Sequence, residues 1–193
     1  MATPKGAFAD TWGRDMFTFG GVLTLPAGRL PFQWGFDFGY GIMGRKARSI
    51  TVAEPDLGAT EGRLAVNAKV LGYHPLLRFS PLTGKVRPYV DGLVGLRHFT
   101  TQSTITVDGL HEPLSQERLA NDLALSAGWA AGLMVGLGQV GYIEARIESI
   151  NGGKATYVDP ATVAMDGQGH VSFNTLKSTT GNVNLLVGIG LRF

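Results

Sequence analysis

Few side chains in this 193-residue chain can move a proton or an electron pair. Cysteine is absent, so there is no disulfide framework, thiolate metal site or thiol nucleophile. Of the four histidines, His74, His111 and His170 fall in turn-like or loop-like stretches and make no metal-ligand spacing. His98 has a neighbour of interest. Thr100 follows two positions later, and on a strand the imidazole and hydroxyl would share one face. A hydroxyl activated by a histidine is the chemistry such a pair could do. It also needs a third group to orient the ring, and no carboxylate stands two positions to either side. The plainer reading is an interfacial histidine. The sequence therefore predicts no catalytic residue, no metal site and no cofactor.

The other reactive groups are charges in alternating strings. Asp37, Asp91, Glu144 and Glu148 stand against Lys69, Arg87, Arg97, Arg146 and Arg192. Four acids and five bases are close to balance, which is what pairing in a poorly solvated interior requires. What lies between these charges shows where they point. In "FQWGFDFGYGI", Phe32, Trp34, Phe36, Phe38, Tyr40 and Ile42 occupy every second position, and Asp37 lies among the glycines opposite. Period two is the strand period. The pattern recurs over Phe17 to Leu25, Leu64 to Val70, Val86 to Leu96, Gly141 to Ile147 and Asn182 to Phe193.

Leu123 to Leu137 carries Gly128, Gly132 and Gly136 at helix-packing spacing. Yet Leu123, Leu125, Trp129, Leu133 and Leu137 all fall on odd positions, and the window is shorter than the ~20 residues of a spanning helix. It reads as a strand.

Charged residues are only 17% of the chain, below the ~25% of an average soluble domain. A net charge of +2 invites no nucleic-acid partner. Joints of turn type ("PAGRLP", "SPLTGKV", "GQ") alternate with long connections, roughly 45–62, 100–121 and 151–169. All long loops thus lie at one end, the habit of antiparallel outer-membrane barrels. The second long connection holds "EPLSQERLAND", which reads as a short helix. Stretches 100–107 and 171–178 read as strands continuing past a membrane. The polar faces mix glycine, alanine and serine with a few charges, as a narrow barrel requires inside. The predicted fold is all-β, an antiparallel up-and-down transmembrane barrel, in one domain over residues 1–193. Phe32, Trp34, Phe36, Phe38, Tyr40, Trp129, Leu133 and Val187 are expected to face lipid. The nine charges named above are expected to face the lumen. A soluble sandwich or lipocalin-like ligand-binding barrel would reverse the faces.

The sequence resembles the small outer-membrane β-barrel proteins of Gram-negative bacteria, the OmpA/OmpX/OmpW-like group, over about Phe17 to Phe193. The resemblance rests on the C-terminal "VNLLVGIGLRF" and on "VRPYVDGLVGLR". It implies that Leu185, Val187, Ile189, Leu191 and Phe193 form the signal read by the barrel assembly machinery. It also implies a bacterial outer-membrane location, with lipid around the wall and a possible protein partner in an outer-membrane complex. Some barrels of this kind act on lipid acyl chains through a His and a Ser at the wall, and here His98 and Thr100 stand nearest to that pattern. Seven strands are clear and bacterial barrels have even numbers, so eight are expected. The first is expected in Ala2 to Asp10, where Pro4 and Gly6 interrupt it, or partly upstream of Met1.

Overall fold

The computed structural model describes residues 1–54, 58–107, 112–165 and 171–192. Among the described residues the elements are antiparallel β-strands and one short helix. In chain order they are β1 (Ala2–Lys5), α1 (Ala7–Trp12), β2 (Phe17–Pro26), β3 (Phe32–Glu54), β4 (Gly58–Phe79), β5 (Val86–Val107) and β6 (Ser115–Leu137). The chain continues with β7 (Gly141–Gly152), β8 (Lys154–Val158), β9 (Ala164–Met165), β10 (Val171–Ser172), β11 (Thr175–Thr179) and β12 (Gly181–Leu191). Eight strands form one up-and-down sheet in the order β1-β12-β7-β6-β5-β4-β3-β2. Its two edges meet at one bridge, where Ala2 and Met16 exchange N–H···O bonds of 2.9 and 2.8 Å.

The sheet curls strongly. β3 and β7 are four strand spacings apart, ~19 Å in a flat sheet. Yet Arg146 of β7 reaches Asp37 of β3 at 2.9 Å. Side chains therefore divide into an inner set and an outer set by the parity of the strand. The outer set is apolar over the lower part of every long strand. Trp34, Phe36, Phe38, Val90, Val94, Trp129, Leu133, Ile143 and Val187 all stand exposed there. From Phe32 to Ile42, ten residue steps advance ~33 Å along the strand.

The short joints behave as turns. Gly28 and Gly138 take φ of 65° and 71°, a region open to glycine and costly for other residues. The connections expected to be long are mostly strand. β3 and β4 run on to Glu54 and Gly58, and β6 begins at Ser115, so the short helix expected after residue 112 is strand instead. The expected strand at 171–178 is two short pieces that pair with β9 and β8, outside the main sheet.

The helix lies where a weak first strand was expected. Only Ala2–Lys5 is strand, and Ala7–Trp12 is helical between Gly6 (φ 55°) and Gly13 (φ 62°). Phe8 and Trp12, four apart on one helix face, are both buried. They meet Phe99 and Tyr157 edge-on, with ring centroids 5.6–6.5 Å apart. This aromatic plug fills the upper interior, and Arg14 ties it to Asp159 at 2.7 Å. The same plug explains one inverted face. Leu64, Val66, Ala68 and Val70 are buried and line the upper interior, so Lys69 lies outside and not in the lumen as expected.

Candidate functional site

Below the plug, the inner face gathers charge. Asp91 on β5 is fully buried, and Arg78 on β4 grips it with two parallel bonds, Nε to Oδ1 at 2.8 Å and Nη2 to Oδ2 at 2.9 Å. Arg146 on β7 donates to the same carboxylate, to Asp37 at 2.9 Å and to Glu148 at 3.1 Å. Tyr89 donates its hydroxyl to Glu144, and its ring lies 3.6 Å under the Arg78 guanidinium. Asn184 closes the far side by donating to Glu148 at 2.6 Å. Arg97 stands higher, donating to the Thr180 carbonyl at 2.6 Å and covering Phe99. Such geometry is what burial demands of charge: Arg78, Arg146 and the four acids are ion-paired, and Arg97 is held by a carbonyl.

Local sequence makes the cluster possible. Gly132 on β6 faces Tyr89, and a Cβ there would lie 2.3 Å from the phenol oxygen. Glycine thus gives the ring its place against the wall, from which it reaches β7.

Six of the nine expected lumen charges are in the interior: Asp37, Asp91, Arg97, Glu144, Arg146 and Glu148. Lys69 is not, as described above. Arg87 is half-buried near the lower end, its Nε without a partner among the described residues, and Arg192 is exposed nearby. With Lys85 they line a separate lower cleft of about 490 Å³ and touch none of the four acids. Arg78 and Tyr89 are central to the cluster, and Arg78 escaped sequence reading. Its signal was there: Gly72, His74, Leu76 and Arg78 continue the inner parity of β4.

The expected lipid-facing residues lie on the outer face. Phe32, Trp34, Phe36, Phe38, Trp129, Leu133 and Val187 are exposed, and Tyr40 is half-buried against Phe19, with ring centroids 4.9 Å apart. Of the expected assembly signal, Leu185, Val187, Ile189 and Leu191 share that outer face on β12, while Phe193 lies outside the described residues.

Two hydroxyl–imidazole pairs merit a chemical reading. On the outside, His98 Nε2 contacts both the Asn121 side-chain oxygen and Thr100 Oγ1, the latter at 3.3 Å. A base must accept the hydroxyl proton on one ring nitrogen and be oriented through the other. Here both partners share one nitrogen, which makes a surface hydrogen-bond cluster and not the geometry of a relay. Inside, His74 sits on β4 and not in a turn, with Nε2 2.8 Å from Ser126 Oγ. Among the described residues no side chain bonds its Nδ1 to fix the tautomer. His111 and His170 lie outside the described residues.

The interior opens sideways. A cleft of about 1150 Å³ runs from Asp37, Arg146 and Glu148 outward between β2 and β12, past Phe19, Leu23, Val187 and Ile189. No family model, curated protein or solved structure matches this chain.

Proposed function

We propose that this chain is an integral β-barrel protein of the bacterial outer membrane, eight-stranded and filled by its own side chains. Its role is structural, adhesive, or that of a component of an outer-membrane complex, without catalysis and without a wide pore. One observation carries the reading: the chain is inside-out. Large apolar side chains crowd the outer face while ion pairs fill the inner one. Water-soluble proteins rarely expose apolar patches beyond a few hundred Å². Hydrocarbon around the wall resolves that conflict. It also accounts for backbone groups paired strand to strand, since a spanning segment finds no water to bond. The lipocalin-like alternative requires aromatics inside and charges outside, the reverse of the arrangement here.

The ion-pair cluster and the aromatic plug lie one above the other inside the sheet, which supports an interior blocked along its length, though it opens sideways between β2 and β12. Lipid is the partner of the wall, and the assembly machinery is the partner during biogenesis. The test is refolding from urea into lipid vesicles, followed by gel mobility with and without heating, together with fractionation of cells. The expected result is a heat-modifiable band, found in outer membranes, with little steady conductance in planar bilayers. A folded monomer in detergent-free buffer would overturn the reading.

A further inference from the structure

Above the apolar band, the outer wall of β3–β6 changes character. Strand register lays its outward residues in rows. Tyr40, Leu71, His98 and Leu123 form the last row of the band. The next row holds Lys69 between Ile42 and Thr100, and the row above it is Arg45, Asn67, Gln102 and Arg118. Both arginines owe their place to a β-bulge. On β3 the register shifts between Ile42 and Gly44, so Met43 and Gly44 both turn inward: Met43 is buried, and a Cβ on Gly44 would meet Trp12 and Pro160. On β6 the register shifts opposite Thr101 and Gln102, and Leu119 and Ala120 both pack on the inner core. Without these two extra residues, strand parity would send Arg45 and Arg118 inward. Arg45 and Arg118 are exposed, and no ion pair among the described residues holds either of them or Lys69. The acids of these strands stand elsewhere. Glu117 and Asp122 lie opposite the inward Ser103 and Phe99, and Glu61 lies three rows above Asn67.

We propose that Arg45, Lys69 and Arg118 form a binding site on the outer wall for the anionic phosphate headgroup of a membrane lipid. The inference rests on the barrel reading above, which puts the apolar band in hydrocarbon. Lys69 and the arginine row then lie ~7 and ~14 Å farther along tilted strands, at headgroup level. Three features select such an occupant. The first is charge: three cations surround the site with no acid on the wall between them. The second is shape. Arg45 and Arg118 stand three strand spacings apart, ~14 Å, so two extended guanidinium side chains can close over the amides of Asn67 and Gln102 from either side. Guanidinium forks take phosphate oxygens two at a time, Lys69 adds a point charge from below, and the amides donate to the oxygens left over. The third is continuity. Tyr40, Leu71 and Leu123 lie directly below, so a lipid meets the cations with its headgroup and the apolar band with its chains, whereas a free anion gains only the first contact. A solvated wall needs neither bulge, and two separate bulges here bring arginines to one row.

The test uses the full chain folded in maltoside micelles, with its fold verified first by heat-modifiable mobility. The probe is phosphatidic acid, the reference is phosphatidylcholine with the same chains, and retained lipid is counted by native mass spectrometry. Saturable binding of phosphatidic acid is expected, with clear preference over the reference. Each cation beside an anionic lipid surface is worth roughly fivefold in binding. The combined variant Arg45→Gln, Lys69→Gln, Arg118→Gln should therefore lose roughly a hundredfold. A control that removes the same charge from the lower end, Arg29→Gln, Lys85→Gln, Arg192→Gln, should keep the affinity. If the combined variant fails to fold, Arg45→Gln and Arg118→Gln singly decide, each with a loss of roughly fivefold. Equal losses in the two combined variants would mean diffuse attraction and would overturn the proposal. So would an absence of preference between the two lipids, or displacement of phosphatidic acid by an equal concentration of inorganic phosphate, which would mark a free-anion site. Failure to fold in micelles would instead overturn the barrel reading.

Discussion

Arg146 is the hub of the interior, and its removal tests whether the cluster is paired or merely wet. Its side chain is 3% exposed and bonds three carboxylates, those of Asp37, Asp91 and Glu148. Arg146→Met keeps most of the volume and deletes the charge. Asp91 retains Arg78, but Asp37 loses the only guanidinium bonded to it among the described residues. Stripping one partner from a buried ion pair costs about 3–5 kcal/mol. Asp37→Asn alone should cost less, about 1–3 kcal/mol, because Arg146 keeps two other carboxylates. Combined, the two changes should cost less than their sum, with a coupling of about 1–3 kcal/mol. The measurement is urea unfolding in lipid vesicles, with tryptophan fluorescence and gel mobility as independent probes. Planar bilayers give a second readout, since loss of the hub should raise conductance. A cost under ~1 kcal/mol with no coupling would mean that water screens these charges, as it does for exposed pairs. The closed interior would then be wrong, even if the barrel stood.

Other expectations follow from single contacts. Gly132→Ala places a methyl against Tyr89, forces the ring off Glu144, and should destabilise the fold by about 1–3 kcal/mol in the same unfolding assay. Leu133→Arg puts a charge on the exposed outer face and should cost roughly 2–4 kcal/mol if that position lies near mid-bilayer, whereas Lys69→Leu should be nearly neutral. Phe8→Ala empties the heart of the upper plug and should cost about 3–5 kcal/mol, read by urea unfolding. Asp122, above the apolar row that ends at Leu123, accepts the Thr156 N–H at 2.7 Å, which holds its carboxyl below the usual 3.8. Because the folded value is the lower one, the tie of β8 to β6 is complete above pH about 4 and is lost as pH falls through the folded value. Amide exchange at Thr156 should quicken only on that acid side, and an unchanged profile would refute the anchoring.

Much of this architecture was legible because strand parity is a strong signal where one face is apolar and the other is not. Phe32 to Ile42 and Leu123 to Leu137 declare themselves by alternation alone. Parity says which residues share a face, not which face is inside. For Leu64 to Val70 the apolar row is the inner one, because above the apolar band the interior is an aromatic core and the outside is polar. A rule that puts the apolar row outside, as in the lower part of the strands, assigns such a stretch backwards. Lys69 lies on the opposite face from the expected one for that reason, and Arg78 lies beyond the alternating apolar stretch that ends at Val70. The helix at Ala7–Trp12 was hidden for another reason. Six residues make fewer than two helical turns, too few for a repeating apolar face, and what holds them is tertiary: Phe8 and Trp12 against rings from β5 and β8.

The two kinds of interior divide the work of holding the wall. Apolar packing fills the upper interior with residues drawn from the helix, the sheet and the β8–β11 hairpin, so its order depends on segments outside the main sheet. The charge cluster draws only on sheet strands, β3, β4, β5 and β7, and spans the curl from one side to the other. Ion pairs of fixed geometry can hold the curl where strand pairing does not. That matters most at the cleft between β2 and β12, which share no ladder among the described residues. Asp37 on β3 and Arg146 on β7 each lie one strand away from an edge of that cleft, and their bond ties the two sides across the interior. Breaking it should loosen those edges before the rest of the sheet. In Arg146→Met, amide exchange should therefore rise first along β2 and β12 and last along β5. A uniform rise along all strands would refute a bracing role and leave the cluster as filling alone.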